Sequence, residues 1–460
     1  MLLQTTGSGT ETKGAIIASG LQLLGSGGSY VLGSSNNQIE TLAGNTGSLD
    51  FTNGQGYAVG TVTNSAVNPI STTGITTTAG DIDLHKGATS TDGYIAINAE
   101  LNSGGGNIVL DVSGVGGETK NGSTQGSGSS AAIVANGLTL LGSGSHTLTN
   151  PGNRVSLLAG AGSVGGVTGT GSVQFTDSQA LSIGLLSTGG VTTNGLNSSG
   201  DVTLTIVGNL TQSQLLEVDG TLSGSAMSVD LDNSSNAIAN LGGSLGLTAG
   251  GNFTLNDAKA SGLTVTGAVK STAGLVSITN ASGLTVAGTG SVSGNGVSLT
   301  TETPVINPTV SLANSLYSQI VSGGGTAGND IILNGLVNGG SGTVTLNSAG
   351  SINQTGGIIT AVTLTGSTGN TGTTTAALYS ASNVITNLGQ FTTHGDFALN
   401  DTNAGGLTVT GAVNSGIGSV VINSNNGITE GGQGSVTTGI GANTGLLLLC
   451  LLYTSPSPRD

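Results

Sequence analysis

Two stretches of this chain carry nearly the same text: GLTVTGAVKSTAGLVSITNASGLT at Gly262–Thr285 and GLTVTGAVNSGIGSVVINSNNGIT at Gly406–Thr429. The same lead-in precedes both, FTLND at Phe253–Asp257 and FALND at Phe397–Asp401. A chain that repeats itself at this length builds one structural unit again and again, and such units bury their apolar faces against their neighbours. Within a copy, Leu263 and Val265 alternate with Thr264 and Thr266, and Val276 and Ile278 alternate with Ser277 and Thr279. Period-two alternation of apolar and hydroxyl side chains predicts short β-strands. The same alternation, with Leu407, Val409, Val420 and Ile422 in the second copy, predicts that these residues point inward and the threonines and serines outward.

A second family of repeats fills the N-terminal half. GAIIASGLQLLGSG (Gly14–Gly27) matches AAIVANGLTLLGSG (Ala131–Gly144), AVGTV (Ala58–Val62) matches SIGLL (Ser182–Leu186), and GDIDL (Gly80–Leu84) matches GDVTL (Gly200–Leu204). GDVTLTIVGNLTQ (Gly200–Gln212) returns as GTVTLNSAGSINQ (Gly342–Gln354), and NAIANLG (Asn236–Gly242) as NVITNLG (Asn383–Gly389). Strand starts recur about every ten residues, with Gly and Asn between them where the chain must turn. No stretch has the apolar stripe and caps of an amphipathic helix. These features predict an all-β, right-handed parallel β-helix of roughly twenty residues per coil. It is expected to run continuously over residues 1–445, as an N-terminal repeat pair to about residue 199 and a C-terminal pair from about residue 200. Gly114–Ser130, rich in Gly and Ser, and Thr301–Tyr317, with Pro304 and Pro308, are expected to be loops.

Composition narrows the function. The 460 residues include 85 glycines, no tryptophan and only 6% charged residues, so a wide globular core has little to fill it. The net charge of −15, with seven basic residues scattered singly, predicts no nucleic-acid partner. Two ends are set apart. Cys450–Asp460 (CLLYTSPSPRD) looks like a transposase-type sequencing adapter translated in frame, so residues 446–460 are expected to be a non-native tail. Met1–Gln4 aligns with Ile108–Asp111, which predicts that the chain starts within a repeat and is an internal piece of a longer protein.

The repeat text from GDVTLTIVGNLTQ through NAIANLG and FTLND to GLTVTGAV resembles filamentous haemagglutinin-like large exoproteins over Met1 to about Gly445. The resemblance implies a non-catalytic β-helical shaft of a Gram-negative surface adhesin, exported by two-partner secretion through an outer-membrane transporter. Its expected partners are glycans or proteins on host or neighbouring cell surfaces. The Asn-Pro-Asn-Leu motif of that family's secretion domain is not in this sequence, so the export route is inferred from the shaft alone.

Motifs that could carry chemistry each have a plainer reading. GxGxxG at Gly160–Gly165 and Gly323–Gly328 opens no helix, as a dinucleotide site requires. GxSxG around Ser244 is followed by strand-like sequence and reads as a turn serine. GGGTAGNDIILNG at Gly323–Gly335 has the flavour of a calcium nonapeptide but stands alone, so Asp330 is expected at a structural corner. His85, His146 and His394 lie in separate repeats and read as solvated or turn histidines rather than metal ligands. Asp81 with Asp83, and Asp230 with Asp232, could begin the carboxylate pair of a carbohydrate-active β-helix enzyme, but only Lys86 supplies a nearby cation, and a solvated face is the default. An ice-binding solenoid is the third reading, from the TxT triplets at Thr61, Thr203, Thr264, Thr343, Thr363 and Thr408, whose spacing is irregular. The sequence therefore assigns no catalytic, cofactor-binding or metal residue, and no cofactor.

Overall fold

The computed structural model describes residues 1–64, 69–87, 93–112, 122–162, 169–302, 329–438 and 447–451. Among them every assigned element is a β-strand except a 3₁₀ turn at Ser129–Ala131. The strands stack in parallel as the rungs of a β-solenoid, the fold that the alternation predicts. The chain forms two compact units, Met1–Ile238 and Ala239–Asp460.

In the first unit the core is a set of in-register aliphatic columns. Leu49, Ile82, Ile108, Leu138 and Leu158 occupy one position on five successive parallel strands, and none is more than 2% exposed. Two strands are much longer than alternation suggested: Ile17–Leu32 pairs with Gln38–Asn53, each of 16 residues. Glycine lets such a strand turn a corner without ending. Gly25 sits at φ +129°, and a Cβ there would collide with the carbonyl of Thr5, just past the adjacent strand Leu2–Gln4. Gly122–Gln125, inside the segment expected to be a loop, is a strand paired with Tyr94–Ile97 and Ser145–Leu148. The first part of that segment, 114–121, and 303–317 lie outside the described residues.

The second unit repeats a three-strand coil. Phe253, Val276, Val297, Val344 and Leu364 form one column, Leu263, Leu284, Ile331 and Ile352 a second, and Val269, Val292, Val337 and Ile359 a third. Leu263, Val265, Val276, Ile278, Leu407, Val409, Val420 and Ile422 are all buried, at 2% exposure or less, while Thr264, Ser277, Thr279 and Thr408 are only partly covered. The predicted register is the observed one.

Asparagine pegs pin the corners of both units. Asn37, Asn153, Asn236 and Asn383 hold equivalent places in the long repeats, and all are 0% exposed. Each Oδ1 accepts a backbone N–H from the preceding coil: Ile16 at 2.6 Å, Ile133 at 2.8 Å, Leu216 at 2.8 Å and Ile359 at 2.9 Å. Each Nδ2 donates to the carbonyl five residues back, those of Leu32, Leu148, Leu231 and Leu378. A glutamine from the preceding coil completes three of the four pegs, through Gln125, Gln212 and Gln354; Glu11 accepts from the fourth, Asn37. Buried backbone groups at a corner lose their ladder partners, and a short amide supplies both a donor and an acceptor there.

Candidate functional site

Among the described residues the parallel solenoid has two departures, and both lie on the outer face of the first unit. Thr61–Thr63 pairs antiparallel with Ser71–Thr73, and Leu185–Thr188 with Val191–Asn194. These hairpins grow from matching places in the two N-terminal repeats. The base of each is closed alike: the Gly74 N–H donates to the Gly60 carbonyl at 2.8 Å and the Gly195 N–H to the Gly184 carbonyl at 3.0 Å. Each lies flat because a glycine in the sheet beneath leaves room for one apolar side chain. Val62 rests over Gly20, and Leu186, only 3% exposed, rests over Gly137. Burying a leucine of this kind is worth roughly 1.5–3 kcal/mol.

The sequence carried a signal for the second hairpin. Its strands are joined by Gly189–Gly190, with φ of +59° and +78° at the two turn positions. That is the double left-handed geometry that a two-residue hairpin requires and glycine supplies.

Beside the second hairpin lies a group of four ionisable residues, Asp50, Asp83, His85 and Asp111. Asp50 and Asp83 are register partners, as are His85 and Asp111 on the next outward position. The His85 Nδ1 lies 3.0 Å from the Asp111 Oδ2, and its Nε2 lies 3.7 Å from the Asp50 Oδ1. Burial works against a charge on His85, but the Asp111 hydrogen bond and the charges of Asp111, Asp50 and Asp83 prevail and raise its pKa. Asp83 is 6% exposed. Its burial pushes the carboxyl up to about 6, against the pull of His85 and with the help of Asp50 and Asp81.

This placement corrects one expectation. Asp83 is not a solvated carboxylate: it faces outward, as alternation requires, but the hairpin covers it. Asp81 and Lys86 are placed differently from it. The Asp81 Oδ1 accepts the Asn107 N–H at 2.8 Å, a corner staple that Asp201, Asp330 and Asp396 repeat on Thr221, Ser351 and Ser419. Lys86 follows Ile82 and Leu84 onto the inward face and is 2% exposed. Chemically, the His85 ring is held by Asp111 through Nδ1 and faces the Asp50 carboxylate with Nε2, so the imidazole lies between carboxylates of the two flanking strands.

The other candidates fall as follows. Asp230 and Asp232 are exposed on and just after a three-residue strand, and Ser244 is exposed in a turn that leads to the strand Leu247–Ala249. Asp330 stands at a corner, as expected. His394 lies in a bend with its Nδ1 on the Gly372 carbonyl. His146 contradicts its expectation: it is 0% exposed in the core, bonded through Nδ1 to the Ser123 hydroxyl at 2.8 Å, and burial lowers its pKa to about 4. Of the triplets, Thr343 pairs with Thr363 and Thr345 with Thr365, whereas Thr61 lies on the first hairpin. Gly323–Gly328 and residues 163–165 lie outside the described residues, while Gly160 falls in the strand Arg154–Ala161. Among the described residues no group of three or more His, Cys, Asp or Glu is arranged to hold a metal ion.

The fold and site together define a parallel β-solenoid with two surface hairpins and a carboxylate–histidine cluster. No protein-family model, curated protein or solved structure matches this chain.

Proposed function

We propose that the chain is a segment of the shaft of a large secreted surface adhesin, non-catalytic, that holds binding regions away from a Gram-negative cell. The observation that supports this most is the recurrent peg at Asn37, Asn153, Asn236 and Asn383, a device that secures coil upon coil and serves extension rather than a single site. The resemblance of the repeat text to filamentous haemagglutinin-like exoproteins points the same way. The outward columns, such as Thr254, Ser277, Ser298, Thr345 and Thr365, present uncharged hydroxyls that hydrate well and offer weak, repeated contacts to surface glycans or proteins. An outer-membrane transporter is the partner during export, and nucleic acid is not a partner, given the net charge of −15.

The test uses antibodies raised against the chain on intact cells that produce the parent protein. The proposal expects labelling without permeabilisation, loss of label after external protease, and reduced attachment in the presence of the antibody fragments. Labelling that needs permeabilised cells would overturn it.

A further inference from the structure

We propose that the hairpin of residues 185–194 is an acid-closed strap that loosens from the outer face of the solenoid as pH rises, with Asp83 as its sensor. This goes beyond the shaft reading and does not depend on it. The argument starts from the interface. The inward face of the hairpin presents Leu186, Thr188 and Thr193, all buried, to the sheet. Gly189, at the tip, comes so close to Asp83 that a Cβ there would lie 2.6 Å from its Oδ2. Two polar atoms of this interface, the Asp83 Oδ1 and the Thr188 Oγ1, are buried without a hydrogen-bond partner among the described residues. An unpartnered buried carboxylate oxygen is tolerable when the group is neutral and costly when it is charged.

The equivalent hairpin provides an internal contrast. There the strip beneath carries Gln22, 0% exposed, whose Nε2 donates to the Ile70 carbonyl at 3.0 Å and to the Thr72 hydroxyl at 2.8 Å, and whose Oε1 accepts from Asn64. One hairpin is therefore clasped by a neutral amide that no pH change alters. The other lies over a carboxylate.

The groups that face Asp83 fix the sign. Asp50 on the strand before it and Asp81 on its own strand add negative charge; His85 opposes them but is itself engaged by Asp111 and Asp50. The hairpin, LLSTGGVTTN, carries no titratable side chain. With the closed-state carboxyl at about 6 and an ordinary solvated value in the open state, the opening constant rises about tenfold between pH 5 and pH 8.

A nitroxide on Ser187→Cys, in a chain with Cys450→Ser, reads the strap directly, because Ser187 faces solvent. A label on Ser71→Cys, exposed on the first hairpin, is the control. The expected result is a mobile component that grows from pH 5 to pH 8 at position 187, stays constant at position 71, and loses its pH dependence in Asp83→Asn. Circular dichroism at both pH values verifies that each variant is folded. Equal mobility of the 187 label at the two pH values, or a pH response that survives Asp83→Asn, would overturn the proposal.

Discussion

Gln354 and Asn383 grip each other across two coils: the Gln354 Nε2 donates to the Asn383 Oδ1 at 2.8 Å, and the Asn383 Nδ2 donates back to the Gln354 Oε1 at 2.9 Å. The same Asn383 accepts the Ile359 N–H and donates to the Leu378 and Asn400 carbonyls. Asn383→Ala leaves several buried groups unmatched, each at about 1–3 kcal/mol. A fall in the thermal midpoint and faster amide exchange along Ile358–Ser367 are expected. Asn383→Asp, which keeps the acceptor but turns the donor into a repelling carboxylate, should be at least as damaging at pH 7.

Gly137 and Leu186 give a steric prediction. A Cβ on residue 137 would overlap the Leu186 side chain, whereas at Gly20 it would only touch the Val62 Cγ1 at 3.0 Å. Gly137→Ala should raise amide exchange in residues 185–194 strongly, and Gly20→Ala should affect Thr61–Thr63 and Ser71–Thr73 less. Equal effects would mean that the glycines do not seat the hairpins.

Two buried groups give stability slopes of opposite sign. His146, lowered to about 4, must stay neutral in the fold, so it destabilises as pH falls from about 6.5 toward 4. Asp177, raised to about 7 by burial that outweighs its bonds from Gln179, Val155 and Ser178, binds its proton more tightly when folded. Its contribution is full below about pH 4 and is lost as pH rises to about 7. Melting midpoints measured from pH 4 to pH 8 should therefore show that Asp177→Asn selectively restores stability at pH 8. That substitution also has a precedent in the chain: Asn53 fills the equivalent place, accepting the Ile39 N–H as Asp177 accepts that of Val155. His146→Gln should flatten the acid side.

Ala79 is the described non-glycine residue held at positive φ, +63°. Relief of that strain, about 1–2 kcal/mol, exceeds the added unfolded-state entropy of glycine, so Ala79→Gly should raise the melting midpoint where Ala→Gly elsewhere would lower it.

The core register was legible because alternation leaves one choice: with Leu263 and Val265 inward, Thr264 must face out. His146 was legible by the same count, since it is two residues from the inward Leu148, but its residue type suggested a turn. Asp83 shows the limit of such counting, which gives the direction of a side chain and says nothing of what later covers it. The hairpins escaped because Thr-rich hairpin strands alternate just as coil strands do, and only Gly189–Gly190 marks a reversal. The asparagine pegs were hidden for a related reason: Asn at a corner suits a turn whether its amide faces water or the interior.

The claim on which everything rests is the in-register parallel stack, and cysteine pairs in a Cys450→Ser chain test it most directly. Ser277, Ser298 and Thr345 are successive partners on adjacent strands. Cysteines at 277 and 298, or at 298 and 345, should be bridged on mild oxidation, because neighbouring strands lie within disulfide reach. Cysteines at 277 and 345, two rungs apart, should not. Bridging of the 277–345 pair, with none at 277–298, would contradict the stack.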